Sequence, residues 1–168
     1  DSLSPFHSLI YKLADEGRNE EAVAAFKTID WKKIKQHKFI SGDRLDFLIR
    51  FMLIHDIDLN RAAQLAESHV SMHPESTTYL ATLQYAYMKQ NRLEEAMATV
   101  QKALRITPWH LESLVNQATL YQLTNENDKA LESLQKAVKY YPNDTMGWVG
   151  LADYYDRTGK DSTEIRKK

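Results

Sequence analysis

The sequence predicts an all-α fold in which antiparallel helix pairs stack side by side as an α-solenoid. Three observations carry this prediction. Residues 77–142 contain two copies of one pattern with a period of about 34 residues, apolar stripes recur at helical spacing, and Pro74, Pro108 and Pro142 are spaced by the same period. A fixed period of about 20 to 50 residues is typical of stacked helical repeats, because one helix pair cannot bury its apolar faces alone. We therefore expect each proline to stop one helix and precede the next.

The two copies share their large, small and proline positions. Only the pair Leu83 and Gln117 changes character between them. We expect the small residues Ala96 and Ala130 to let the two helices of a pair approach closely, while the large residues fill the space between neighbouring pairs. The first copy reads Leu80, Leu83, Tyr87, Ala96, Val100, Ala103, Pro108, and the second reads Leu114, Gln117, Tyr121, Ala130, Leu134, Ala137, Pro142.

Looser copies extend the array in both directions. Gly17 ends a first helix and Asn19 starts a second, in a joint that residues 91–96 repeat. The helix over residues 43–55 is apolar almost all round, which predicts burial on both sides, or one side turned to a ligand or another domain. At the far end, Glu164 stands where a small residue is expected. Within one predicted domain, 1–168, the repeats are residues 3–36, 43–74, 77–108, 111–142 and a partial repeat, 145–168.

Residues 31–41 interrupt the period. Four lysines stand in this stretch among Trp31, Ile34 and Phe39, and the alanine spacing indicates about six extra residues, placed at 37–42. We interpret the stretch as a solvated extension whose aromatic side chains pack on the array. A basic-aromatic patch for nucleic acid is the alternative, although four lysines without Arg or Gly carry little such signal.

Composition excludes several classes of function. The chain has 168 residues, is 43% hydrophobic and 27% charged, and has a net charge of -1, so no global field favours nucleic acid. No apolar run approaches the ~20 residues that span a bilayer, so we expect no membrane insertion. Cysteine is absent, which excludes disulfides but leaves the compartment open. We expect a soluble protein and favour the cytoplasm slightly over an exported compartment.

No motif in the chain indicates catalysis. The sequence has neither a Gly-x-Ser-x-Gly elbow nor a glycine-rich phosphate loop. His69 and His73 are four residues apart, as zinc ligands on one helix face can be, but no third ligand has a recognisable spacing. We interpret them as two surface histidines near a helix end. The sequence therefore predicts no enzyme, no metal and no cofactor.

The repeated positions resemble those of the tetratricopeptide repeat (TPR) family. That family places a large residue, Leu, a small residue, an aromatic residue, Ala, a large residue, Ala and Pro at set positions in a repeat of about 34 residues. The match covers nearly the whole chain, and it is specific in residues 77–142, whereas the first two repeats are degenerate and the last fails at Glu164. The resemblance implies a right-handed α-solenoid of about 4.5 repeats.

The resemblance also implies a binding groove, because helix A of each TPR repeat lines the concave face. An extended or amphipathic protein segment with large apolar side chains and one or two basic residues would suit such a groove here, and Asn116 could hydrogen-bond its backbone. Alternatively, Phe47, Phe51, Tyr85 and Met88 are covered by neighbouring helices. The lining residues carried over by position are Tyr11, Phe47, Phe51, Thr78, Ala81, Tyr85, Met88, Glu112, Val115, Asn116, Thr119, Gln122, Val149, Asp153 and Asp156.

The expected function is a non-catalytic scaffold that binds a peptide or helix segment of a protein partner in this groove. An alternative is a regulatory or terminal TPR arm of a larger enzyme or assembly, which the start at Asp1 without Met and the unfinished last repeat would suit. A third possibility is self-association, in which the terminal repeat around Tyr155 and Ile165 stacks on another copy.

Overall fold

A computed structural model of the protein describes residues 4–30, 42–163 and 165–167. These residues form nine α-helices and one 3-10 turn and contain no strand, so the predicted all-α fold is confirmed. The interruption predicted at 31–41 lies outside the described residues. The helices are α1 (Ser4–Asp15), α2 (Asn19–Lys27), α3 (Gly42–Ile54), α4 (Leu59–Met72), α5 (Thr77–Lys89), α6 (Leu93–Ile106), α7 (Leu111–Leu123), α8 (Asn127–Tyr140) and α9 (Thr145–Arg157), with the 3-10 turn at Ile165–Lys167.

The chain divides into two compact units, Asp1–Asp58 and Leu59–Lys168. The first unit contains α1 to α3, and the second contains α4 to α9 and the 3-10 turn. The division falls between α3 and α4, where Asp56 and Asp58 adopt left-handed backbone conformations with φ of 52° and 41°. The predicted domain over residues 1–168 stays a prediction.

In the first unit, α1 packs along α2, and α2 contacts α3 through aromatic rings. Ile10 and Leu13 of α1 are buried, as the apolar stripe predicts. Leu9, expected in the same stripe, is exposed because it lies at the margin of the buried face. Phe26 of α2 stacks on Phe51 of α3 with ring centroids 5.4 Å apart, which fixes the inner side of α3.

In the second unit each helix contacts the next one along the chain, from α4 to α9. We name the first helix of each pair an A helix (α5, α7 and α9) and the second a B helix (α4, α6 and α8). The A helices also contact one another in succession. The small residues predicted at the helix crossings, Ala96 and Ala130, are completely buried, as are Ala103 and Ala137. One period of the repeated pattern therefore corresponds to one helix pair that packs on its neighbours.

The joints between helices follow the same period. The B helices α4, α6 and α8 end at Met72, Ile106 and Tyr140, each two residues before a proline. The A helices start after caps at matching positions. These caps are Ser76, His110 and Asp144, whose side chains accept hydrogen bonds from backbone N–H groups in the first turns of α5, α7 and α9.

Left-handed residues mark the other set of joints, where helix A turns into helix B. Asn91, Asn125 and Gly159 have φ of 58°, 60° and 70° and are spaced by one period, and Gly17 (φ 72°) occupies the corresponding place after α1. Glycine and asparagine tolerate this conformation best, which explains why they follow the helix ends.

The last repeat has a different end. The described residues after α9 contain only the 3-10 turn Ile165–Lys167, and Glu164, whose place in the pattern departs from the repeat, lies outside them. Ile165 packs against a buried cluster that includes Ala130, Leu151 and Tyr154. The turn therefore covers apolar surface that the last helix pair leaves open. No helix of the described chain has the length and apolar character needed to cross a membrane.

Candidate protein-binding surfaces

The first unit brings its three predicted lining residues into one aromatic group. The Tyr11 and Phe47 ring centroids are 5.7 Å apart, and those of Phe47 and Phe51 are 6.3 Å apart. Tyr11 is exposed and Phe47 is half-buried. Phe51 is only 5% exposed because it stacks on Phe26, so its side chain belongs to the core and does not line a surface.

Two histidines that were not among the predicted lining residues complete this aromatic group. His7 meets Phe47 edge to face at 4.9 Å, and His55 lies 4.3 Å from Phe51. Burial, and then the nearby Arg44 guanidinium, lower the pKa of His7 below its ordinary value, which favours the neutral form of this ring. The available signal was spacing, since each histidine stands four residues from a predicted aromatic residue.

In the second unit the predicted lining residues lie on α5, α7 and α9, on a side that we name the A face. In one row of this face, the exposed fraction of the side chain rises from repeat to repeat. Ala81 is 1% exposed, Val115 is half-buried and Val149 is 54% exposed. The reason is that a following A helix covers α5 and α7, whereas the described residues contain none after α9. Ala81 is therefore a core residue and not part of the surface.

A neighbouring row of the A face contains one residue that sequence reasoning missed. Thr78 and Glu112 were predicted, and Met146 occupies the equivalent position one period further on. Thr78 and Met146 are exposed and Glu112 is half-buried. Met146 and Val149 together make the N-terminal half of α9 an exposed apolar surface. The period alone would have identified Met146.

Asn116, predicted to bind a peptide backbone, already has a partner within the chain. Its Nδ2 donates to Oε1 of Gln84 at 3.1 Å, and Nε2 of Gln84 donates to Oγ of Ser113 at the same distance. Gln84 and Ser113 are fully buried, and Asn116 is half-buried. The donor of Asn116 is therefore used inside the fold, and its carboxamide is held in a fixed orientation.

The four remaining predicted residues of α5 and α7 are all half-buried. Met88 packs against a buried cluster centred on α6, so it is partly core. Thr119 donates its hydroxyl to a backbone carbonyl of its own helix. Gln122 accepts a hydrogen bond at 3.5 Å from Arg157, and Tyr85 presents its ring beneath the ammonium group of Lys89, 5.8 Å away. This middle part of the A face therefore combines two polar side chains with a tyrosine and a partly buried methionine.

The C-terminal half of α9 carries the acidic end of the A face. Asp156 accepts hydrogen bonds from the Ser162 hydroxyl and the Arg166 guanidinium, and an Arg166 nitrogen lies 3.8 Å from Asp153 Oδ1. The Ser162 hydrogen bond and then Arg166 lower the pKa of Asp156. Both carboxylates remain about half exposed beside the arginine. The carboxylates of Asp153 and Asp156 are therefore partly neutralised by Arg166 of the same chain.

The two histidines near the end of α4 pack against a tyrosine and do not form a metal site. Among the described residues, no group of three or more His, Asp or Glu side chains could hold a metal ion. His69 is buried with its ring stacked on Tyr79 at 3.8 Å, and His73 lies edge-on to the same tyrosine at 5.5 Å. The prediction of two surface histidines is therefore wrong for His69, which Tyr79 covers, whereas His73 is exposed.

Solved structures with this fold are TPR proteins. TTC0263 of Thermus thermophilus aligns with a TM-score of 0.75 at 23% identity, over 93% of this chain and 82% of that one. A tetratricopeptide repeat protein of Parabacteroides merdae aligns with a TM-score of 0.63 at 20% identity, over 94% and 60% of the two chains. MamA of Desulfovibrio magneticus RS-1 gives 0.62 at 16%, over 99% and 90%. At these identities the likeness defines the fold class: a helical-repeat protein of the TPR type.

The family follows from the sequence. The model of the ChAPs family, described as Chs5p-Arf1p-binding proteins, matches residues 33–163, and the chain belongs to this family. A search of curated protein sequences gives no match. Both the fold class and the family are those of protein-interaction modules.

Proposed function

We propose that this chain is a non-catalytic scaffold that binds a segment of a protein partner on the A face of its second unit. The observation that carries the proposal is the surface of α9, where exposed Met146 and Val149 precede the half-exposed carboxylates of Asp153 and Asp156. Exposed apolar side chains bordered by polar residues are typical of protein-interaction sites.

The chemistry of this surface indicates what it binds. A partner segment with large apolar side chains contacts Met146 and Val149, and one or two basic residues meet the carboxylates. Arg166 of the chain itself already pairs with Asp156, so a basic residue of the partner meets chiefly Asp153, whose side chain is 57% exposed. The family description names Chs5p and Arf1p as proteins that its members bind, so these two proteins are the first partners to test.

The test is a titration of the purified chain with Chs5p and with Arf1p by calorimetry. We expect at least one of them to bind, and the double variant Val149→Ser with Asp153→Lys to weaken binding by about tenfold or more, because it removes an apolar contact and reverses a charge. The matched control is Ile54→Ser with Glu132→Lys, which makes the same two changes at exposed positions outside the A face.

Two results would count against the proposal in different ways. Wild-type affinity in the Val149/Asp153 variant rejects the A face as the binding site. Absence of binding to either protein rejects the partner assignment.

A further inference from the structure

A row of large apolar side chains is exposed on a second surface of the same unit. Met72, Ile106 and Tyr140 are the last residues of α4, α6 and α8, and they are 60%, 37% and 50% exposed. Trp109, in the loop after α6, is 51% exposed. We name these four residues the B-end row. Successive repeats place its three helix ends at equivalent positions, one period apart.

Packing does not require large apolar residues at these positions. The helix ends are anchored three residues earlier, where His69, Ala103 and Ala137 are buried. The final residue of each B helix is partly exposed, least at Ile106 and most at Met72, and an exposed proline follows two residues later. Isolated exposed apolar residues are ordinary, but here they recur at the equivalent helix end of three successive repeats, and an exposed tryptophan stands three residues after one of them.

Basic side chains flank this row. Arg105 and Lys139 immediately precede Ile106 and Tyr140, and both are exposed. Neither forms an ion pair with a described residue, whereas Lys136 is paired with Glu132 at 2.8 Å. Cations in the last turn also stabilise a helix through its dipole, which accounts for Arg105 and Lys139 as helix residues. The helix dipole does not account for the exposed apolar side chains next to them.

We propose that the B-end row is a docking surface for an acidic, amphipathic segment of a protein. Apolar side chains of that segment contact Ile106, Trp109 and Tyr140, and its carboxylates pair with Arg105 and Lys139. This surface carries the opposite charge to the acidic end of the A face, so the two surfaces select different segments. The assignment stands independently of what the A face binds.

The probes are three synthetic peptides of equal length that share one pattern of leucines and differ only in their charged positions, which are Glu, Lys or Gln. Amide NMR spectra of the whole chain report where each peptide binds. We expect the Glu peptide to shift amides in residues 102–109 and 136–142, and to bind about tenfold more tightly than the Lys peptide.

Two variants separate the contributions of charge and apolar contact. Arg105→Glu with Lys139→Glu reverses the preference to the Lys peptide, and Ile106→Ser with Tyr140→Ser weakens both peptides about tenfold. The control Lys12→Glu with Lys27→Glu makes the same charge change on the first unit and leaves the shifts in place. An unchanged melting curve shows that each variant is folded.

Three outcomes overturn the proposal. In one, millimolar Glu peptide leaves the amides of 102–109 and 136–142 in place. In another, the Glu peptide shifts Val149 and Asp153 instead, which assigns it to the A face. In the last, vesicles of phosphatidylcholine and phosphatidylserine broaden the row's amides while the Glu peptide has no effect, which assigns the row to an anionic membrane surface.

Discussion

Gln84 and Asn116 are joined side chain to side chain across one repeat, with Nδ2 of Asn116 donating to Oε1 of Gln84 at 3.1 Å. Gln84 is completely buried and also donates to Ser113 of α7. The following repeats have Ala118 and Ala152 at the position of Gln84. Hydrogen bonds from Gln84 therefore connect α5 to α7, whereas the next two A helices have a small apolar alanine at the same position.

We expect Gln84→Ala to destabilise the protein by about 1–3 kcal/mol, although it makes this repeat resemble the next two, because it leaves two polar groups without their partner. These groups are the Ser113 hydroxyl, which is buried and keeps only the His110 ring as a partner at 3.0 Å, and the Asn116 amide, which is half-buried and recovers only part of the lost bond from water. Urea unfolding measures the change.

The control for this prediction is Gln117→Ala. Gln117 is half-buried and accepts one hydrogen bond, from Ser133 at 2.9 Å. Water can replace that bond in part, so the loss should stay within about 1 kcal/mol. Equal stability of Gln84→Ala and the wild type would show that the hydrogen bonds of Gln84 contribute nothing.

Ala130→Leu should destabilise the protein by about 1–3 kcal/mol, because it inserts three carbon atoms into a packed crossing. Ala130 is completely buried in a cluster with Ala118, Leu134, Leu151 and Tyr154. Thermal unfolding followed by circular dichroism reports the loss. Ala98→Leu, on the exposed side of α6, makes the same change in solvent and should leave the midpoint almost unchanged. A midpoint that does not move in Ala130→Leu would place the crossing elsewhere.

The contact of Asp156 with Ser162 and Arg166 should depend on pH. Folding lowers the pKa of this carboxyl, so its contribution to stability is present above the unfolded pKa and is lost as pH falls through the folded pKa. We therefore expect the amides of Ile165 and Arg166, which donate to the Ser162 carbonyl, to lose protection from hydrogen exchange as pH falls below the ordinary range of aspartate.

Substitution of the arginine tests the cause of this pH dependence. Arg166→Ala should move the pKa of Asp156 toward its ordinary value, as measured by carboxyl carbon NMR. Arg18→Ala removes an equally exposed arginine from its contacts with Glu16 and Glu21 and should leave Asp156 unaffected. The same pKa in the wild type and in Arg166→Ala would mean that the arginine does not interact with Asp156 in solution.

Asn125 sets the joint between α7 and α8 with a φ of 60°. Asn125→Ala should destabilise the protein by about 1–2 kcal/mol, because a Cβ without a compensating polar group disfavours the left-handed conformation. Asn125→Gly should equal or exceed the wild type in stability, since glycine adopts this conformation without strain. Both variants lose the asparagine carboxamide, but only alanine is strained in the left-handed conformation. The difference in their free energies of unfolding, measured with urea, therefore reports the backbone requirement. An Asn125→Gly protein as weak as Asn125→Ala would contradict the prediction.

The sequence was most informative where one physical requirement recurs in every period. Ala96 and Ala130 had to be small because helices cross there, and both are fully buried. The joint that starts α2 at Asn19 was found by comparing residues 17–22 with 91–96. A packing requirement that recurs in each repeat selects the same residue type at the same position each time. The fold class and the resemblance to TPR proteins could therefore be predicted from the sequence, and both are confirmed.

The candidate site was less predictable, because exposure depends on which helices follow in the stack. Position in the repeat assigned Ala81 and Val149 to the same lining row, yet Ala81 is buried and Val149 is exposed. Phe51 was likewise assigned by position, but Phe26 covers its ring. The hydrogen bond between Gln84 and Asn116 was not predicted, since a glutamine at a small position does not reveal its partner. The other lining residues stay predictions.

The left-handed residues at the joints have a consequence for how an array of this kind can change length. Removing residues 91–124, one full period, would join Gln90 directly to Asn125 and so recreate an asparagine-led turn at the end of α5. Inserting a second copy of the same segment would add one further turn that begins with asparagine. Stacked repeats interact chiefly with their neighbours. Whole periods can therefore be gained or lost while the turn at each junction keeps a sequence that the chain already contains. The number of repeats is therefore easier to change than the geometry of any one of them.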